Sequence, residues 1–66
     1  MKIRDFLNMT PGTEVNIKGR RAWLEGIPKL GSGHYYPGSK DYAYAYFRYL
    51  DTKRLVTKRN RQVELP

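Results

Sequence analysis

Cysteine is absent from this chain of 66 residues, and histidine occurs only once. Without cysteine the protein has no disulfides and no thiolate ligands for zinc. The six acidic residues are scattered, without the spacing of a metal site. We therefore expect neither a metal nor another cofactor. The lack of cysteine also suits a reducing compartment, so we expect the protein in the cytoplasm.

Long apolar runs are absent as well. No stretch approaches the roughly 20 apolar residues that a membrane-spanning helix needs. The first seven residues are too few and too charged for a secretory signal. A chain of this length forms one domain, which we place over residues 1–66. Such a small domain buries only about 60% of its unfolded surface, so its core must be thin.

Acidic residues are few compared with basic ones. Lys and Arg number 13 against 6 Asp and Glu, which gives a formal net charge of +7. This excess attracts polyanions. Nucleic acid is the first candidate partner, and an acidic protein is its rival. A membrane surface is not expected, because no long amphipathic basic helix is present.

The pattern of apolar and turn-forming residues predicts short strands in meander order. Residues 2–9 are expected to form one or two helical turns, which end at Pro11 and Gly12. Strands are predicted over 13–18, 22–30, 41–50, 54–59 and 62–65, with a loop at 31–39. Gly26 and Pro28 predict a bulge or an edge position in the second strand. The predicted fold class is thus mainly β, a small barrel that is preceded by a short N-terminal helical turn.

Residues 42–49 read Tyr-Ala-Tyr-Ala-Tyr-Phe-Arg-Tyr, and strand side chains alternate between faces. One face would carry Tyr42, Tyr44, Tyr46 and Arg48; the other would carry Ala43, Ala45, Phe47 and Tyr49. The second set suits a core. The first set resembles the aromatic rings and cations of single-strand binders. Strand propensity alone also explains large aromatics, so both interpretations of this segment stay open.

The basic residues form two clusters of a single sign. The first lies at a predicted turn and consists of Lys18, Arg20 and Arg21. The second accompanies the predicted hairpin and consists of Lys53, Arg54, Lys58, Arg59 and Arg61. If the hairpin forms, Arg48 joins the two clusters. Charges that serve solubility are usually mixed in sign. We therefore interpret both clusters as a surface that contacts phosphates.

Three segments resemble parts of SH3-like barrels. Pro11-Gly12-Thr13-Glu14-Val15 resembles their first strand, residues 47–57 their central hairpin, and Gln62-Val63-Glu64-Leu65 their closing strand. The resemblance is one of strands and turns. It implies a five-stranded SH3-like barrel. Members of this group, which include KOW and Tudor-like domains, bind RNA, DNA or proteins. It therefore implies a fold more than a function. An OB-type barrel is the nearest alternative, but it needs a longer chain.

Together these features predict a non-enzymatic nucleic-acid-binding protein, monomeric or homodimeric, with no catalytic residues. Tyr42, Tyr44 and Tyr46 would stack on bases, and single strands are favoured over duplex. Tyr35 and Tyr36 in the loop would clamp the strand. Nothing resembles a recognition helix, so no sequence specificity is expected.

Trp23 is either a core residue or a stacking residue. We interpret it as core, because tryptophan in a small barrel more often lies there. A protein-binding adaptor or inhibitor, of the type found in phages and mobile elements, is the alternative function and would use the same Tyr and Arg face. A ribonuclease that relies on His34 is a further alternative, because imidazole titrates near neutral pH.

Overall fold

The structure is a computed structural model that describes residues 1–31 and 42–66. In these residues the protein is mainly β, with five antiparallel strands in one open sheet and one short helix. The elements are α1 (Ile3–Leu7), β1 (Glu14–Ile17), β2 (Arg20–Leu24), β3 (Lys29–Gly31), β4 (Tyr42–Tyr49) and β5 (Leu55–Arg59), followed by a 3₁₀ turn at Asn60–Gln62. The predicted helical turn and hairpin are confirmed in type and position.

Strand β4 is the centre of the sheet. One of its edges pairs with β5, and the other edge pairs with β2 and then with β3. Strand β1 pairs with the far edge of β2. The predicted single strand over residues 22–30 is therefore two strands that follow one another along β4. Four residues lie between Leu24 and Lys29, against two between their partners Phe47 and Tyr44, so a bulge of two extra residues interrupts the strand.

Two turns lie side by side at one end of the sheet. The β1–β2 turn consists of Lys18 and Gly19, with φ angles of 51° and 80°. Positive φ at both central residues is typical of a type I′ hairpin turn. The β4–β5 turn contains Lys53, whose φ is 60°. The backbone N–H of Leu50, just after β4, donates to the carbonyl oxygen of Arg21 in β2 at 3.0 Å.

The core lies between α1 and one face of the sheet, which we call the inner face. Phe6 of α1 packs edge-to-face on Phe47, with 5.9 Å between the ring centres. The buried apolar residues are Phe6, Val15, Ile17, Ala22, Leu24, Ala43, Ala45, Phe47, Tyr49 and Val63. The predicted inner set of β4 is thus confirmed. Small alanines beside Phe47 leave space for the helix.

Asn60 is the one buried polar residue of the described chain. Its Oδ1 accepts a hydrogen bond from the Ala43 N–H at 3.1 Å, and its Nδ2 donates to the Met1 carbonyl oxygen at 2.9 Å. The side chain therefore ties β4 to Met1. Buried polar groups need such partners, because an unpaired one is costly.

The predicted last strand over residues 62–65 is wrong in extent. The 3₁₀ turn takes up residues 60–62, and the Arg59 N–H donates to Gln62 Oε1 at 2.9 Å. Only one bridge to β1 remains, in which Asn16 and Glu64 exchange backbone hydrogen bonds of 2.7 and 2.9 Å.

Candidate functional site

The sheet face opposite α1 carries most of the predicted site, and we call it the outer face. The strand registers place on it Glu14, Asn16, Arg21, Trp23, Lys29, Tyr42, Tyr44, Tyr46, Arg48, Leu55, Thr57 and Arg59. They align in rows across the strands. One row runs Lys29–Tyr44–Arg59, and another runs Glu14–Trp23–Arg48–Leu55.

Three of the four tyrosines of β4, namely Tyr42, Tyr44 and Tyr46, point outward, as predicted. Tyr46 is 47% exposed, and Tyr42 and Tyr44 are half-buried. The rings of Tyr42 and Tyr44 are 6.1 Å apart and tilted by 45°. Tyr42 also lies over Gly31, where an added Cβ would collide with its ring. The Tyr42 ring can therefore pack on the sheet at this position because residue 31 is a glycine.

The prediction that Trp23 belongs to the core is wrong. Trp23 is half-buried on the outer face, directly opposite Arg48. Its indole Nε1–H donates to Glu25 Oε2 at 2.7 Å, and the Lys53 ammonium lies 5.2 Å from the ring centre. Alternation explains this position, since the neighbours Ala22 and Leu24 fill the inner face. Trp23 thus adds a fourth ring to the outer face.

Cations flank Tyr44 on both neighbouring strands. Lys29 lies opposite it on β3 and Arg59 opposite it on β5. The Arg59 guanidinium also lies 4.4 Å above the Tyr42 ring, a cation–π contact. A groove of about 310 Å³ runs along this end, lined by Tyr42, Tyr44, Thr57, Arg59 and Gln62. Among the described residues, no carboxylate lies within ion-pair distance of Lys29 or Arg59.

Arg48 has internal partners on the outer face. Its Nη1 donates to the Lys53 carbonyl oxygen at 2.7 Å, and its Nε lies 3.4 Å from Glu25 Oε2. Glu25 therefore links Arg48 to Trp23. The first contact holds the β4–β5 turn, and the second offsets the arginine charge with a carboxylate. Arg48 joins the rings as predicted, but as a partly neutralised group.

The first basic cluster divides between the two faces. Arg21 pairs with Glu14 on the outer face. Arg20 turns to the inner side, 3.7 Å above the Tyr49 ring, and its Nη2 lies 3.0 Å from Asp51 Oδ1. The Arg20 guanidinium, followed by the Thr52 N–H, holds the pKa of Asp51 below its ordinary value. Lys18 is exposed in the type I′ turn.

The second basic cluster divides along the length of β4. Lys53 and Arg54 lie at the β4–β5 turn, at the same end as the first cluster. Lys58, Arg59 and Arg61 lie toward the other end, near Tyr42. Lys58 is opposite Ala45 and so belongs to the inner face, whereas Arg61 is exposed in the 3₁₀ turn. We call the outward rings of Tyr42, Tyr44, Tyr46 and Trp23 the aromatic row. Cations therefore lie at both ends of this row.

Three predicted residues, Tyr35, Tyr36 and His34, lie outside the described residues. Within residues 1–31 and 42–66, no group of histidines and carboxylates has the arrangement of a metal site. No helix in this part of the chain has the length and apolar character needed to cross a bilayer.

The sequence analysis missed Lys29 and Glu25 as members of this face and favoured the core for Trp23. Lys29 stands between Pro28 and Leu30 without a second cation nearby, so clustering could not single it out. A signal was present in the alternation of Arg21, Trp23 and Glu25, which puts the three on one face of a strand.

Comparisons with protein-family models, with curated proteins and with solved structures give no match to this chain.

Proposed function

We propose that the protein binds single-stranded nucleic acid on its outer face and performs no catalysis there. One observation carries this proposal: Trp23, Tyr42, Tyr44 and Tyr46 share a face that no described element covers, and cations stand beside them. Rings of this kind stack on bases of any sequence, since every base has a π-face.

Two stretches of the face supply different contacts. At one end, Lys29 and Arg59 flank Tyr44 at the spacing of neighbouring strands, so a base on the ring has a cation on each side. At the other end, Lys53 lies over Trp23. From Tyr42 to Arg48 the strand advances about 20 Å. A stacked nucleotide strand advances about 3.4 Å per nucleotide, so the row spans about six stacked nucleotides.

Single strands fit this face better than a duplex. In a duplex the π-faces of the bases are hidden in the stack, so tyrosine rings have nothing to stack on. A duplex could bind only through the cations. Two of those on the outer face, Arg21 and Arg48, are already paired with carboxylates, so few are left to contact phosphates.

A titration tests the proposal. Labelled single-stranded DNA, single-stranded RNA and duplex DNA are titrated with the protein at two salt concentrations, with fluorescence anisotropy as the readout. We expect single strands to bind more tightly than duplex. Because a base stack contributes about 1–3 kcal/mol, Tyr44→Ala should weaken single-strand binding by about fivefold to a hundredfold.

Tyr44→Phe is the matched control, because it keeps the ring and removes only the hydroxyl. It should bind as the wild type does. Wild-type affinity in Tyr44→Ala would contradict the stacking role. No binding of any nucleic acid at low salt would overturn the proposal and favour the protein-binding alternative, with an acidic partner on the same face. Cleavage that His34→Ala abolishes would favour the ribonuclease.

We further propose that the open sheet belongs to a five-stranded SH3-like barrel and that the protein acts in the cytoplasm. The bridge between Asn16 and Glu64 supports the first part, since it brings the end of the chain to the free edge of β1. Closure between these elements is what the sequence resemblance implies.

A further inference from the structure

Glu25 is an acidic residue that lies beside Tyr46, within the aromatic row. It follows β2, and its backbone N–H donates to the Tyr46 carbonyl oxygen at 2.9 Å, so it lies beside Tyr46. Its side chain is on the outer face, because Oε2 accepts from Trp23 Nε1 at 2.7 Å and lies 3.4 Å from Arg48 Nε. Two donors, the Trp23 indole and the Arg48 guanidinium, thus hold the carboxylate in one orientation.

The second oxygen of this carboxylate, Oε1, is free of hydrogen bonds from the described part of the chain. Trp23 and Arg48 both approach Oε2, and no described residue hydrogen-bonds to Oε1. The Glu25 side chain is 38% exposed. Side chains of neighbouring strands on one face lie about 5 Å apart. A base that stacks on Tyr46 therefore has its edge within reach of Oε1.

A carboxylate accepts hydrogen bonds and donates none. It pairs with the exocyclic amine of cytosine, which is a donor. Uracil carries a carbonyl oxygen in place of that amine, and its ring N–H lies between two carbonyl oxygens. Both oxygens repel an approaching carboxylate. An oriented carboxylate beside a stacking ring can therefore distinguish these two bases.

We infer that Glu25 makes the Tyr46 position a subsite for bases with an exocyclic amine, so that the protein prefers cytosine to uracil. This inference rests on the proposed function, because it requires a strand on the outer face. Arg48 is then a positioning residue that orients the carboxylate and offsets its repulsion of phosphates.

The test compares two oligonucleotides of equal length, oligodeoxycytidine and oligodeoxyuridine, by anisotropy at neutral pH. The wild type should bind the cytidine strand at least about tenfold more tightly, the effect of one hydrogen bond to a charged acceptor. Glu25→Met removes both acceptor oxygens at similar length and should abolish the preference. Glu25→Gln keeps one carbonyl acceptor and should retain part of it.

Glu14→Met is the matched control. It also removes a carboxylate that pairs with an arginine on the outer face, so it makes the same change in charge. It should alter the two affinities equally and leave their ratio at the wild-type value. Circular dichroism of each variant shows whether it is folded. Should Glu25→Met unfold, Glu25→Gln still tests the ratio.

The outcomes separate the inference from the proposed function. Binding of both strands with equal affinity overturns the inference and leaves the proposed function standing. A cytidine preference that survives in both Glu25 variants, or that also disappears in Glu14→Met, overturns it as well. If neither strand binds at low salt, the proposed function fails and the inference fails with it.

Discussion

Neutralising Lys29 or Arg59 should lower the salt dependence of single-strand binding by the contribution of one phosphate contact. Of the cations on or over the outer face, three have no carboxylate within ion-pair distance among the described residues: Lys29, Lys53 and Arg59. Each phosphate contact on a single strand contributes about −0.7 to the slope of log K against log salt. Three contacts give a slope of about −2.

This slope predicts measurable differences in affinity. Between about 50 and 200 mM salt, a slope near −2 weakens binding about 18-fold, and the loss of one contact reduces this to about sevenfold. Lys29→Gln and Arg59→Gln should each show the smaller value. The assay is anisotropy with one short oligonucleotide at four or more salt concentrations, and the slope is the quantity compared.

Arg4→Gln is the control for net charge. Arg4 is exposed on α1, which packs on the inner face through Phe6 two residues later, so it points away from the outer face. It removes the same charge and should leave the slope unchanged. Equal slopes for Arg4→Gln, Lys29→Gln and Arg59→Gln would contradict this prediction, because affinity would then depend on the net charge of +7 and not on where the charges lie.

Two further predictions concern the scaffold of the site. Asn60→Ala should lower the free energy of unfolding by about 1–3 kcal/mol, because it leaves the buried Ala43 N–H without its acceptor; urea denaturation measures this, and an unchanged midpoint would contradict it. The pKa of Asp51 is lowered, so its contact with Arg20 stabilises the fold fully at pH values above the ordinary carboxyl pKa. This stabilisation is lost as the pH falls through the pKa of Asp51 in the folded protein. Arg20→Met should raise the pKa of Asp51 in an NMR titration, and an unshifted curve would show that Arg20 is not the cause.

The sequence was sufficient to predict the faces of β4, because alternation is a local property. Tyr44 and Phe47 lie on opposite sides of one strand whatever the rest of the chain does. The hairpin to β5 followed for the same reason, since its turn residues are adjacent in the chain. Local patterns thus predicted which rings of β4 point outward.

Contacts between residues that are distant in the chain could not be predicted from the sequence. The second basic cluster looked continuous along the chain, but the hairpin carries Lys53 to one end of β4 and Arg59 toward the other. Which arginines meet carboxylates also depends on strand register, as in the contacts of Glu25 with Arg48 and of Glu14 with Arg21. Sequence spacing says nothing about either pairing.

The bulge between β2 and β3 decides which side chains join the aromatic row. It adds two residues relative to β4, an even number, so Trp23 before it and Lys29 after it both face outward. A one-residue change in a strand register moves every later side chain to the other face. With a bulge of one residue, Lys29 would point toward the inner face and Leu30 outward, and the cation beside Tyr44 would be replaced by an apolar group. The length of this irregular segment therefore determines the charge of the proposed binding face.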